Sequence, residues 1–311
     1  MRFRNSRFER LTHKAPGLAG GYLLQLGEYA AVALAGEGAQ LLGAPVSTEL
    51  GGFEKATSRL DLECEVEGEK LAISLVVKAA RQAEIRILQQ FASEELDAIP
   101  QYLGSVQAGG KEYLLMPFYD GRVLDFDDVM PRQVLSMLAR IHTKFEENYQ
   151  HLDYLPLADE GYLTKLIETA LKSVRGFTKA THLLNDVRSN ADLLCSILLQ
   201  SPMTLLQGDV HPGNIIEFSG SAVLVDWGNA RIGPRTLDLA NITSTDDDAW
   251  VFYLSESERF GTALGPDRML RNHVWASALV NLMYLPYGAQ TGGEALAENM
   301  AGRVLRSIRK L

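Results

Sequence analysis

Cysteine is scarce in this sequence. Cys64 and Cys195 are the only two in 311 residues, far apart and each in an apolar-rich segment. Such a pair argues against a disulfide framework or a thiolate metal site and suits a reducing cytoplasm. No uninterrupted apolar run approaches the ~20 residues that a membrane-spanning helix needs. Basic residues are in deficit, 30 Lys and Arg against 39 Asp and Glu, for a net charge of -9. Most of the surface would therefore repel a phosphate backbone or an anionic lipid, so neither nucleic acid nor a membrane is expected as a partner. The chain has no internal repeat, no low-complexity linker and no Gly-x-x-x-x-Gly-Lys-Ser/Thr segment, which removes the P-loop nucleotide fold.

With 46% hydrophobic residues, the chain has enough apolar mass for one large domain or two ordinary ones, and it reads as soluble and globular. The basic start Met1-Arg2-Phe3-Arg4 and the small residues from 15 to 35 mimic a signal peptide. Pro16, Gln25 and Glu28 interrupt the apolar segment, however, and an N-terminal helix is expected instead. Ser58 to Val66 alternates as a strand, turns at Glu67-Gly68-Glu69 and continues as Leu71 to Lys78. Ile85, Leu88 and Phe91 are spaced as on a helix, and Tyr113 to Met116 reads as a buried strand ended by Pro117. Beyond residue 117 helices dominate. Pro131 opens one with Val134, Leu138, Ile141 and Phe145 as its apolar stripe. Others are expected at about 160–175 and 183–200. A compact β insert then follows from Thr204 to Leu206, Ile215 to Phe218 and Ala222 to Val225, with a hairpin turn at 219–221, and the last hundred residues read as mainly helical.

Chemistry concentrates in Gln207-Gly208-Asp209-Val210-His211-Pro212-Gly213-Asn214 and in Leu224-Val225-Asp226-Trp227-Gly228. A hairpin between them is expected to turn Asp209, Asn214 and Asp226 toward one small volume. Asn214 and Asp226 offer hard oxygen ligands of the kind that Mg²⁺ takes one or two of, keeping water and phosphate oxygens for the rest of its octahedron. Asp209 then occupies the place of the base in the kinase pattern of aspartate, four residues and asparagine, with Asp-Trp-Gly where kinases carry Asp-Phe-Gly. An ordinary carboxylate, of pKa ~4, is too weak to ionise an alcohol before attack, so such a residue mostly orients its substrate. His211 has no Cys or His partner at ligand spacing and reads as a structural loop residue.

These segments resemble the aminoglycoside phosphotransferase and choline kinase family, whose typical stretch is His-Gly-Asp-Leu-His-Pro-Gly-Asn followed by an Asp-Trp pair. In the same order come Gly51-Gly52-Phe53, Val76-Val77-Lys78, Tyr113 to Gly121, Ala139-Arg140-Ile141-His142 and Asp238-Leu239-Ala240, over about residues 49 to 245. The resemblance implies an α+β, bilobal protein-kinase-like fold: a small β-rich N-lobe with one key helix, residues 1–116, and a larger mainly α-helical C-lobe, residues 117–311. It implies an ATP- or GTP-dependent phosphotransferase acting with Mg²⁺ on a hydroxyl of a small molecule, either a cationic aminoglycoside or amino sugar, or choline, ethanolamine, homoserine or a sugar. A nucleotide-binding pseudokinase is the third reading, prompted by Gln207 where the family usually has histidine. By the same resemblance Gly51, Gly52 and Lys78 meet the phosphates, Glu84 pairs with Lys78, backbone at Met116 and Phe118 meets the base, and Asp238 holds backbone near Asp209. Only twelve positions separate Asp226 from Asp238, too few for an activation loop that docks peptides. Two groups carry both a bland and a functional reading. Asp246-Asp247-Asp248 is either solvated surface or a cation site, and Trp250, Tyr253, Trp275 and Tyr284 are either core or an ammonium box. Arg303, Arg306, Arg309 and Lys310 read as a solvated helix face.

Overall fold

The computed structural model describes residues 14–15, 19–50, 57–94, 96–108, 110–146, 148–262 and 265–311; Gly51 and Gly52 lie outside them. In chain order the elements are β1 (Lys14–Ala15), α1 (Ala19–Ala35), β2 (Gln40–Leu41), β3 (Val46–Glu49), β4 (Thr57–Val66), β5 (Glu69–Ala79), α2 (Gln82–Phe91), β6 (Gly104–Ala108) and β7 (Lys111–Pro117). There follow α3 (Arg132–Phe145), α4 (Glu160–Ser173), α5 (Thr178–Ser189), α6 (Ala191–Gln200), β8 (Met203–Leu206), β9 (Ile215–Phe218), β10 (Ser221–Leu224), β11 (Arg231–Pro234), α7 (Thr236–Leu239), α8 (Asp248–Arg259) and α9 (Pro266–Ile308). The chain folds into two compact units, 1–122 with 216–228, and 123–215 with 229–311.

The first unit is built on a seven-stranded sheet in the order β1-β6-β7-β5-β4-β2, with β3 also on β4. Its spine is the β4–β5 hairpin, paired from Thr57↔Lys78 to Val66↔Glu69. Glu67 (φ 52°) and Gly68 (φ 85°) make the two-residue turn, and two left-handed residues in succession match the twist of the strands they join. Alternation then sorts the faces. Leu60, Leu62, Cys64, Leu75, Val77 and Leu115 are buried with Leu26, Ala30 and Ala31 of α1. Lys78 and Val76 belong to the opposite parity and so face the other way, the side from which α2 presents the buried Glu84. The N-terminal helix is thus the cover of this sheet, from small and aliphatic residues whose low bulk lets the helix approach the strands.

The second unit packs α4, α5, α6 and α9 around Leu163, Ile167, Leu184, Val187, Leu194, Trp275 and Leu282. The Trp275 indole N–H donates to the Leu194 carbonyl at 3.0 Å, so the one polar atom of that buried ring is satisfied. Two sequence expectations are corrected here. The stretch 183–200 is not one helix: it breaks at Asn190, whose backbone leaves the helical region between α5 and α6. Of the compact three-stranded insert only the hairpin of β9 and β10 forms, as expected; β8 is not part of it, because it pairs antiparallel with β11, from Arg231↔Leu206 to Pro234↔Met203. The region after 248 is helical as expected, and Gly293 (φ 62°, ψ -154°) interrupts α9.

Candidate active site

In the first unit, β5 and α2 bring a cation and two carboxylates together. Lys78 Nζ lies 2.8 Å from Glu84 Oε1 and 2.7 Å from Asp226 Oδ1. Glu84 is 2% exposed and Asp226 48%, so the lysine bridges a buried anion and an open one. Burial alone would lower the Lys78 pKa, but Glu84 and Asp226 outweigh it and hold the ammonium above its usual value. Burial pushes the Glu84 carboxyl up, against the pull of Lys78. The pair is therefore a charged contact that depends on both partners being present. Asp226 follows β10 with a left-handed backbone, φ 59°, which a non-glycine residue adopts only under constraint. Trp227 supplies that constraint: its ring is buried edge-on against Phe91, centroids 5.0 Å apart, and its indole N–H donates to the Leu224 carbonyl at 3.0 Å. A Cβ on Gly228 would come within 3.3 Å of both the Asp226 and Glu84 carboxylates, so any side chain at the third place of the motif would crowd the two anions that hold Lys78. At the end of β7, Met116 is buried and the Phe118 N–H donates to the Ser74 carbonyl at 3.3 Å, so that N–H faces β5.

In the second unit, the loop after β8 is held by buried polar groups. Asp238 accepts the N–H groups of Gln207 (2.8 Å) and Gly208 (2.9 Å) through its two carboxylate oxygens. His142 Nε2 lies 3.3 Å from Asp238, and His142 Nδ1 lies 2.8 Å from the Tyr253 hydroxyl. Complete burial lowers the His142 pKa, more than Asp238 can raise it. Gln207 is buried and its Oε1 accepts the Asp209 N–H at 2.7 Å, so the residue that replaces the usual histidine fixes the Asp209 backbone directly. Gly208 has φ 86°, and a Cβ there would stand 2.2 Å from the Asn229 carbonyl; only glycine fits. The Asp209 carboxylate itself accepts from the Tyr284 hydroxyl on Oδ1 and from Asn229 Nδ2 on Oδ2 at 3.2 Å. Asn214 donates its Nδ2 to the Asp209 carbonyl at 3.0 Å, which ties the nitrogen end of the amide and directs its oxygen end elsewhere. The His211 ring lies nearly parallel to Phe126, centroids 6.3 Å apart.

Lys78, Glu84 and Asp226 are thus assembled in one unit, Asp209 and Asn214 in the other. Among the described residues no three His, Cys, Asp or Glu side chains gather as a metal cage. Mg²⁺ takes only one or two protein oxygens and completes its shell with phosphate and water; the Asp226 carboxylate in the first unit and the Asn214 carboxamide oxygen in the second are each a hard donor of that kind. Tyr284, Asn229 and Asn241 were not foreseen as partners of this loop. Asn229 follows the Asp-Trp-Gly motif directly and could have been suspected; Tyr284 lies 75 positions from Asp209 and gave no signal.

The model of the "Phosphotransferase enzyme family" matches residues 70–269, a span that includes Lys78, Glu84, Asp209, Asn214, Asp226 and Asp238 and stops short of Tyr284. The chain belongs to the phosphotransferase enzyme family. Solved structures agree with this phosphotransferase in fold. Macrolide 2'-phosphotransferase type I superposes with a TM-score of 0.55 at 15% identity, covering 92% of this chain and 98% of its own. Choline kinase LicA from Streptococcus pneumoniae gives 0.55 at 14%, covering 93% and 100%. An ethanolamine kinase from Plasmodium vivax gives 0.53 at 12%, covering 85% and 81%. The α+β, protein-kinase-like fold expected from the sequence is therefore the fold of this phosphotransferase. No helix among the described residues is long and apolar enough to cross a membrane.

Proposed function

We propose that this phosphotransferase moves the γ-phosphoryl group of ATP or GTP to a hydroxyl of a small molecule, with an aminoglycoside or other amino sugar as acceptor. The observation that best supports it is Lys78 bridging Glu84 and Asp226 at 2.8 and 2.7 Å. An ammonium fixed from both sides is placed before any phosphate arrives, and preorganised charge is the larger share of phosphoryl-transfer catalysis. In this reading Lys78 binds the nucleotide phosphates, Glu84 orients Lys78, and Asn214 and Asp226 hold Mg²⁺. When bound, the cation neutralises charge on the phosphates. Asp209 orients the acceptor hydroxyl. The acceptor oxygen bonds to the γ-phosphorus, the bond from that phosphorus to the bridging oxygen of the nucleoside diphosphate breaks, and the hydroxyl proton passes to Asp209 late in that step.

For the base we propose backbone contacts other than those of Met116 and Phe118. With the Phe118 N–H turned to Ser74, the alternation of an antiparallel ladder turns the Pro117 carbonyl and the Tyr119 N–H away from β5. We assign the base to these two groups in place of Met116 and Phe118. On the acceptor side, Trp250, Tyr253 and Trp275 are core residues, at most 3% exposed. They cannot form an ammonium box, and this favours hydroxyl-rich amino sugars over choline. Asp247 caps α8 by accepting the Trp250 N–H at 2.8 Å, so part of the acidic run serves the helix rather than a ligand.

The test is a panel of aminoglycosides, amino sugars, choline, ethanolamine, homoserine and neutral sugars incubated with enzyme and Mg-ATP or Mg-GTP. Mass spectrometry should find a gain of about 80 Da, one phosphoryl group, on an amino sugar. A gain on choline alone would move the acceptor class. No transfer to any acceptor together with no nucleotide binding would end the proposal.

A further inference from the structure

The residue that the foregoing reading makes the acceptor's partner is already occupied by a hydroxyl of the protein. Tyr284, half-buried on α9, donates its O–H to Asp209 Oδ1. The direction of that bond is fixed by Asn241, whose Nδ2 lies 3.4 Å from the phenol oxygen and so donates to it, while also donating to the Val210 carbonyl at 2.7 Å. The phenol proton therefore points at the carboxylate. Burial first, then the bond to Asp209, hold the phenol well above its ordinary pKa, so it stays a donor through the physiological range. The other carboxylate oxygen is taken by Asn229 at 3.2 Å. An alcohol that Asp209 is to orient must present an O–H to this same carboxylate, and the phenol does that already.

We propose that Tyr284 is the gatekeeper of the acceptor position: its hydroxyl fills the place of the acceptor's hydroxyl on Asp209 and is displaced by a true acceptor. This rests on the phosphotransferase reading above and deepens it, because it makes water a poor acceptor at this position. A water molecule offers only one hydrogen bond in exchange for the phenol's, whereas a polyhydroxylated acceptor brings further contacts that offset the displacement. Tyr284 is a positioning residue: it acts on the reaction through Asp209.

The experiment uses no acceptor. Hydrolysis of Mg-ATP and of Mg-GTP by the full chain is compared for wild type, Tyr284→Phe, Asn241→Ala, Asp209→Asn and the Asp209→Asn/Tyr284→Phe double variant, with nucleotide binding measured by calorimetry. A hydrogen bond to a charged group corresponds to about 10- to 100-fold in an equilibrium, so Tyr284→Phe is expected to hydrolyse nucleotide about tenfold faster or more. Asn241→Ala should rise less, and the double variant should fall back to the Asp209→Asn level. A residue that only packs would change the melting temperature and leave hydrolysis alone. If Tyr284→Phe binds nucleotide but hydrolyses it no faster than wild type, the gatekeeper role is wrong while the phosphotransferase reading stands. If no form binds either nucleotide, both fall together.

Discussion

Asp226 and Asp209 each follow a short buried strand and each carries a carboxylate into the proposed chemistry, yet they are held in opposite ways. Asp226 is half in solvent, at a strained backbone angle, and is paired with a full positive charge on Lys78. Asp209 is gripped by neutral donors, a phenol and a carboxamide, while the unusual backbone angle of its loop is carried by the neighbouring Gly208. The first arrangement suits a group whose partner must change: an ion pair at the surface is worth little, so Lys78 can be shared with phosphate and Asp226 with a cation. The second suits a group that must keep its own place while one neutral partner, the Tyr284 phenol, gives way to an acceptor: Asn229 on Oδ2 and Gln207 on the Asp209 N–H still fix its orientation without adding charge of their own.

If that contrast is right, neutralising the two residues has different consequences. Asp209→Asn should lower turnover by about 10²- to 10⁴-fold, the range of positioned acid–base help, and leave the affinity for Mg-nucleotide nearly unchanged. Asp226→Asn should weaken Mg-dependent nucleotide binding by about 10- to 100-fold, and asparagine is the right probe because it tolerates a left-handed backbone. Steady-state rates alongside titration calorimetry decide the matter; interchanged phenotypes would break the comparison. Next in size is Asp238→Ala. It strips the partner from the buried N–H of Gln207 and the part-buried N–H of Gly208, and should cost about 2 to 4 kcal/mol, seen as a fall in melting temperature of several degrees by differential scanning calorimetry. Because the loop it braces carries Asp209, turnover should drop with it.

Smaller again is the response to acid. His142 and His273 are both buried, and burial lowers the pKa of each in the folded state. Below the unfolded value of about 6.5 the unfolded chain takes up protons that the folded chain refuses, so stability is full above that pH and declines as pH falls through it. The slope is limited to about 1.4 kcal/mol per pH unit for each histidine. Urea midpoints at pH 7.5 and 6 should show the loss; a flat or rising profile would mean that neither ring is kept neutral.

What was legible in advance was what chain-local patterns encode. Glu67-Gly68 between two alternating runs announced the β4–β5 hairpin, the turn at 219–221 announced that of β9 and β10, and the family resemblance announced the pairing of Lys78 with Glu84. What was hidden depends on partners distant in sequence. The strand Arg231–Pro234 contains glycine and proline, both depleted in strands, and exists because Leu206, Leu205 and Thr204 lie beside it. The orientation of the Phe118 N–H depends on which residues of β5 and β7 fall in hydrogen-bonded pairs, and a register cannot be read from one strand. Tyr284 looked like a core aromatic on a helix, and no spacing rule connects it with Asp209.

The smallest expected effect sharpens the part of the contrast that concerns backbone rather than charge. Asp226 at φ 59° shares its left-handed conformation with Ser219 at φ 47°, in the turn between β9 and β10 of the same unit, where Gly220 follows at φ 75°. Ser219 hosts none of the proposed chemistry, so it measures what such an angle costs in this part of the molecule without disturbing Lys78. Two-residue hairpin turns with both residues left-handed favour Asn-Gly. Ser219→Asn should accordingly stabilise the protein by about 0.5 kcal/mol and Ser219→Ala destabilise it by a similar amount, read from urea midpoints at constant slope. If the asparagine gain exceeds about 1 kcal/mol, the strain at Asp226 is also substantial and its fixed placement depends on the buried Trp227; if the two variants are indistinguishable, the backbone angle there is nearly free and the ion pair with Lys78 alone sets where the carboxylate stands.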